Sequence, residues 1–140
     1  MPTFLDNRDW VGRPGADAGA LERLRSMKPA RVPDGYLELL AISDGGEGSL
    51  PVKPYNACID DVTTMLANLG GEWHRDWLRQ GFFVVGGNGG GELIAFDLRN
   101  PDAQPLVYID MVAGADSAEP FVAGWAGFAA MLGMSSGAPR

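Results

Sequence analysis

The stretch Phe82 to Leu98, FFVVGGNGGGELIAFDL, sets a cluster of glycines between two apolar, strand-like runs. A phosphate-cradling loop sits instead between a strand and a helix, where backbone N–H groups face an anion. It carries a Gly-Lys-Ser/Thr or G-x-G-x-x-G spacing. Here Gly87 and Gly89 are two apart, position 92 is Glu, and no Lys follows. The next run alternates Ile94, Phe96 and Leu98 on one side with Leu93, Ala95 and Asp97 on the other, so a strand there is largely apolar on both faces and belongs well inside a sheet. The glycines are therefore expected to form a tight hairpin connection, which needs positive φ or close backbone approach.

Helical periodicity dominates what precedes this hairpin. Asp17 to Met27 carries Leu21, Leu24 and Met27 on one stripe and stops at Lys28-Pro29. A second helix is expected to start at Pro33, with Tyr36, Leu37 and Leu40 facing inward, and to end at Ser43-Asp44-Gly45-Gly46. A short strand is expected around Ser49 to Val52. Val62, Met65, Leu66 and Leu69 follow the i, i+3, i+4, i+7 pattern of a third helix, with Asp60 or Asp61 as its cap. Trp73 and Trp77 share one face of a further helical turn or two, a spacing that favours the core. Phe82 to Val85, Glu92 to Leu98 and Pro105 to Ile109 are strands, with Asn100-Pro101-Asp102 turning between the last two. A closing helix, Val122 to Leu132, places Trp125, Phe128, Ala129 and Leu132 on one face. The sum is one α+β domain spanning residues 1–140: an antiparallel meander flanked by N-terminal helices and a C-terminal helix, with residues 1–16 as an irregular arm and 135–140 as a frayed tail.

A chain of 140 residues with a formal charge of −7 and a pI near 4.5 is poorly suited to DNA, RNA or anionic membranes, which reward clustered Lys and Arg. A cationic partner suits it better. The apolar runs break well before the ~20 residues of a membrane span, and the N-terminus lacks a basic start and apolar core, so a cytoplasmic location is the expectation. Cys58 is the only thiol and His74 the only imidazole, and no second ligand type lies at metal spacing from either. No cofactor, metal or catalytic set is expected, and His74 reads as a surface or interface imidazole.

Three segments resemble the SUKH superfamily, which includes the fungal Smi/Knr cell-wall regulators and many bacterial immunity proteins. PDGYLELLAISDGGEG, Pro33 to Gly48, is similar to the family's proline-started P-x-x-Y-x-x-x-L helix ending in Asn-Gly-Gly, with Asp44 in place of Asn. FFVVGGNGGGELIAFDL followed by LVYID is similar to its strand, glycine turn and strand ending in Asp-Leu, although Gly87 or Asn88 stands where the family commonly has Asp. GWAGFAAML is similar to its closing helix. The resemblance implies a non-enzymatic, protein-binding domain. Pro33, Tyr36, Gly45, Gly46, Gly89, Gly90 and Asp97 would then be signature residues that serve the fold.

Three functions follow as expectations. In the first, an immunity protein covers the active site of a cognate toxin, such as a nuclease or deaminase, whose basic cleft attracts acid. The contacts expected are Asp44, Glu47, Asp60, Asp61 and Glu92, acids near element ends, with Trp73 as an aromatic anchor. In the second, the domain is an intracellular scaffold or regulatory module. In the third, the glycine turn and neighbouring tryptophans bind a small molecule, which requires a concave apolar pocket.

Overall fold

Seven strands run side by side in chain order, each antiparallel to the next, so the sheet is an uninterrupted meander. The structure, a computed structural model, describes residues 3–135. Its strands are β1 (Trp10–Gly12), β2 (Gly46–Ser49), β3 (Asn56–Ile59), β4 (Phe82–Gly87), β5 (Glu92–Asp97), β6 (Leu106–Asp110) and β7 (Glu119–Val122). Its helices are α1 (Ala18–Met27), α2 (Asp34–Ile42), α3 (Val62–Leu69), α4 (Glu72–Arg79) and α5 (Trp125–Met131). The α+β class and the meander agree with the sequence; the sheet is wider than expected.

Two strands beyond the expected hairpin region, β1 and β2, pair with each other through glycines that admit close approach. Gly46, placed by the sequence at the end of α2, also begins β2, so the strand expected at Ser49 to Val52 is displaced toward the N-terminus. The arm expected to be irregular contains β1, which pairs Trp10, Val11 and Gly12 with Gly48, Glu47 and Gly46. Gly46 and Gly48 leave room for the Trp10 indole, which a Cβ at either would meet. Arg8 then donates from Nη1 to the carbonyls of Ala129 (2.7 Å) and Leu132 (3.1 Å), clasping the end of α5, where helix carbonyls lack partners. Most of the 135–140 tail lies outside the described residues.

Alternation along β4 to β6 builds two cores. On the first face Phe83, Val85, Ile94, Phe96 and Leu106 meet Leu24, Tyr36, Leu40, Met65 and Phe128 from the helices. On the second, Phe82, Val84, Leu93, Ala95, Val107 and Ile109 pack with Trp77 of α4. Sheet interior and both apolar faces of β5 are as its sequence dictates. On α1 the inward stripe is Ala20 and Leu24, with Leu21 half-buried and Met27 exposed, because α1 packs on α2 and α3 through that side alone. His74, expected at the surface, is buried: its Nε2 lies 2.9 Å from the Val84 carbonyl beside the β4 bulge. A carbonyl only accepts, so Nε2 carries the proton, and burial holds the imidazole below its ordinary pKa.

Side-chain hydrogen bonds hold the β4–β5 hairpin and the exit of β5. Asn88 Oδ1 accepts the Gly90 (2.8 Å) and Glu92 (3.1 Å) N–H groups across the β4–β5 hairpin, and Gly89 turns at φ 82°. Asp97 binds Arg99 at 2.8 Å, and the guanidinium lies 4.8 Å over the Phe82 ring, tying the exit of β5 to the second core.

Candidate functional site

The second core stops at β4: none of its buried residues comes from β1, β2 or β3. Yet register carries the same face onward, since Val11, Glu47, Cys58, Gly87, Leu93 and Ile109 are successive cross-strand partners from β1 to β6. Val11 is 75% exposed, whereas Ile109 at the other end of the row is buried. Among the described residues, the β1–β3 end is therefore a sheet region without a covering layer. Over it opens a cleft of ≈ 630 Å³ whose lining includes Asp9, Asp44, Glu47, Asp60 and Asp61, with Arg13 as the cation among them.

Four of the six residues singled out by sequence, Asp44, Glu47, Asp60 and Asp61, thus meet in one cleft. They come from the end of α2, from β2 and from the loop entering α3, which the β2–β3 pairing brings together. The other two, Trp73 and Glu92, line an adjoining groove of ≈ 330 Å³ with Val84, Leu93, Met111 and the hairpin glycines. Cys58 and Asp60 line both. A hydrogen-bond chain also links the two: Asn56 Nδ2 donates to Glu47 (3.0 Å) and to the Asn88 carbonyl (3.1 Å), and Asn88 Nδ2 donates to Glu92 (2.9 Å).

Individual roles differ from expectation at two points. Asp61 occupies the N-cap position of α3 but makes no side-chain capping bond, and Asp44 supplies it instead, accepting the Val62 N–H at 2.8 Å. Asp61 lies 3.9 Å from Arg13. The two tryptophans also part company: Trp77 is buried, while Trp73, stacked edge-on against it at 6.3 Å, is 49% exposed. Gly45, in the lining of the cleft, has φ 83°, and a Cβ there would come within 2.7 Å of the Ile59 carbonyl oxygen.

The concentration of acid leaves a mark on proton affinities. Burial, and then the charge of Asp61, push the Asp60 carboxyl up to about 6. Burial and the nearby Glu47 raise the Cys58 thiol. Beneath the cleft the Tyr36 hydroxyl is fully buried with no hydrogen-bond partner among the described residues, and burial, Asp60 and Asp44 all favour its neutral form. Asp9, Arg13, Asn56 and Met111 also belong to this surface, and local sequence pattern does not mark them, because strand pairing over long separations places them there.

Among the described residues, no group of three His, Cys, Asp or Glu side chains converges so as to hold a metal ion, and no helix is long and apolar enough to cross a membrane. The sequence profile of the SMI1 / KNR4 family (SUKH-1) matches residues 15–133, which include the helices and β2 to β7 but not β1. No curated protein matches the chain.

Proposed function

The chain belongs to the SMI1 / KNR4 family (SUKH-1), and from that premise we propose that it is a non-enzymatic, protein-binding domain acting as an immunity protein, which neutralises a cognate toxin by direct binding. The observation that carries the proposal is the open acidic cleft, lined by Asp9, Asp44, Glu47, Asp60 and Asp61 with Arg13 as the one cation among the described residues. A toxin that acts on nucleic acid, such as a nuclease or deaminase, has a basic cleft because it must hold phosphate. Opposite potentials steer two such surfaces together and raise the association rate, while buried apolar contacts hold the complex. The net charge of −7 acts in the same direction over longer range.

The test is capture of partners on the tagged protein from its native lysate at low and high salt, followed by association kinetics. A stoichiometric basic domain whose own activity is lost on binding supports neutralisation. Clients bound without loss of activity would replace it with a scaffold or regulatory role. In the double variant Asp60→Lys/Asp61→Lys, association should slow and its salt dependence flatten. Unchanged rates would remove the cleft from the interface.

A further inference from the structure

We propose that the groove between α4 and the β4–β5 hairpin receives one bulky apolar side chain of the protein partner, presented by an extended segment that carries a basic residue two positions away. The inference deepens the protein-binding function proposed above and rests on it. Two of the large apolar side chains that this chain leaves exposed, Trp73 (49%) and Met111 (50%), line the same ≈ 330 Å³ groove, with Val84 and Leu93 also in its lining. Exposed apolar residues scattered singly need no explanation, but two meeting in one concavity form a place for an apolar group.

The groove is built to hold its form. The Trp73 indole leans on buried Trp77 and lies 6.4 Å from the ring of buried His74, so it stands on an anchored helix and loses little freedom on binding. The backbone at Met111 is held by its N–H bond to the Gly91 carbonyl at 3.1 Å. Gly89, Gly90 and Gly91 contribute no side chains to the hairpin wall, and a Cβ on Gly91 would meet nothing within 4 Å, which leaves that wall open to an approaching chain.

Charge identifies the second element of the occupant. Asp60 and Cys58 line both concavities, so a segment anchored in the groove continues directly over Asp60 into the acidic cleft. In an extended segment, residues i and i+2 point the same way about 7 Å apart. A lysine or arginine two positions from the apolar anchor therefore reaches carboxylates rather than solvent. The glycine-lined mouth alone would accept any apolar group; the adjoining acid selects a basic segment and repels an acidic one.

The experiment titrates the full chain with three blocked pentapeptides, Gly-Phe-Gly-Arg-Gly, Gly-Phe-Gly-Glu-Gly and Gly-Ser-Gly-Arg-Gly, following the Met111 methyl and Trp73 indole N–H signals by NMR. The Phe/Arg peptide should shift both signals and bind about tenfold more tightly than either control. Met111→Ser, an exposed change that leaves both cores intact, should remove most of that advantage, and Trp73→Ala should do the same. Equal binding of the Ser/Arg peptide, no shift at Met111 or Trp73, or full affinity in Met111→Ser would each overturn the proposal. Undiminished partner capture by Met111→Ser would likewise exclude the groove while leaving protein binding in place. A wild-type chain that captures nothing bears on protein binding alone, the peptides still deciding the groove.

Discussion

Asp60 holds its proton to about pH 6 because it is partly buried beside Asp61, and the consequence for stability has the opposite sign from that of an ordinary paired carboxylate. The folded chain binds this proton more tightly than the unfolded chain, whose carboxyl titrates near 3.8. The contribution of Asp60 is therefore most favourable below about pH 4 and declines as the pH rises to about 6, above which the charge is a fixed cost. Asp60→Asn should stabilise the protein at pH 8 by about 1 kcal/mol, after allowance for solvent screening, and by nothing near pH 3.5. Urea midpoints at the two pH values test this. Asp97 works in the other direction: hydrogen bonds from Arg99 lower its pKa, so its stabilisation is present at neutral pH and is lost as acid protonates it. Cys58 gives a chemical readout of the same field. Burial and Glu47 suppress its thiolate, so iodoacetamide should label it more slowly than a free cysteine at pH 8, and Glu47→Gln should speed labelling severalfold. An equal rate in the variant would show that Glu47 does not set the field at the sulfur. The acids themselves were recognisable in the sequence as residues near element ends. Their mutual proximity was not, because Asp44 and Asp60 are brought together by the β2–β3 pairing and not by any helical or strand period.

At the level of single elements, the third helix shows where local rules suffice and where they fail. Its apolar spacing located Val62, Met65 and Leu69 on the buried side, as observed. Its cap did not follow from position, since the carboxylate that binds the Val62 N–H belongs to Asp44, eighteen residues earlier. Asp44→Ala should cost about 1 kcal/mol and accelerate amide exchange at Val62, whereas Asp61→Ala should leave that amide protected. The hairpin after β4 was readable for a different reason: only a close turn makes use of so many glycines between two apolar runs, and Gly89 and Gly91 do turn with positive φ. For α4 the two tryptophans are equivalent by spacing. The seating of the helix on β4 separates them, burying Trp77 against Phe82 and leaving Trp73 beside a groove. The same seating buries His74, which the sequence read as a surface or interface imidazole.

Over the whole molecule, the N-terminal arm has more influence than its irregular sequence suggests. Arg8 clasps α5, Asp9 N–H reaches the Gly133 carbonyl at 2.9 Å, and Trp10 packs against the first core, so the N-terminal arm is tied to the end of α5. A chain beginning at Gly15, the start of the family match, should retain the fold but lose about 3 kcal/mol of stability, read as a lower urea midpoint. Because β1 and Asp9 also line the acidic cleft, that truncation should weaken partner association as well. Its full retention in kinetic measurements would place the interface elsewhere.

What the amino-acid sequence determined by itself was a set of local decisions: that helices follow Asp17, Pro33 and Asp61, that the glycine cluster is a turn, and that β5 lies inside a sheet. Each depends on interactions within a few residues, so its periodicity is written directly in the chain. Tertiary structure alone decided that β1, β3 and β7 widen the sheet, that the second core ends at β4, and that, among the described residues, the face beyond it is left open. Those outcomes depend on pairing between segments such as Val11 and Glu47, far apart in the chain, and on which helices reach which strands. The acidic cleft exists because the covering layer stops short of residues the chain had already made acidic.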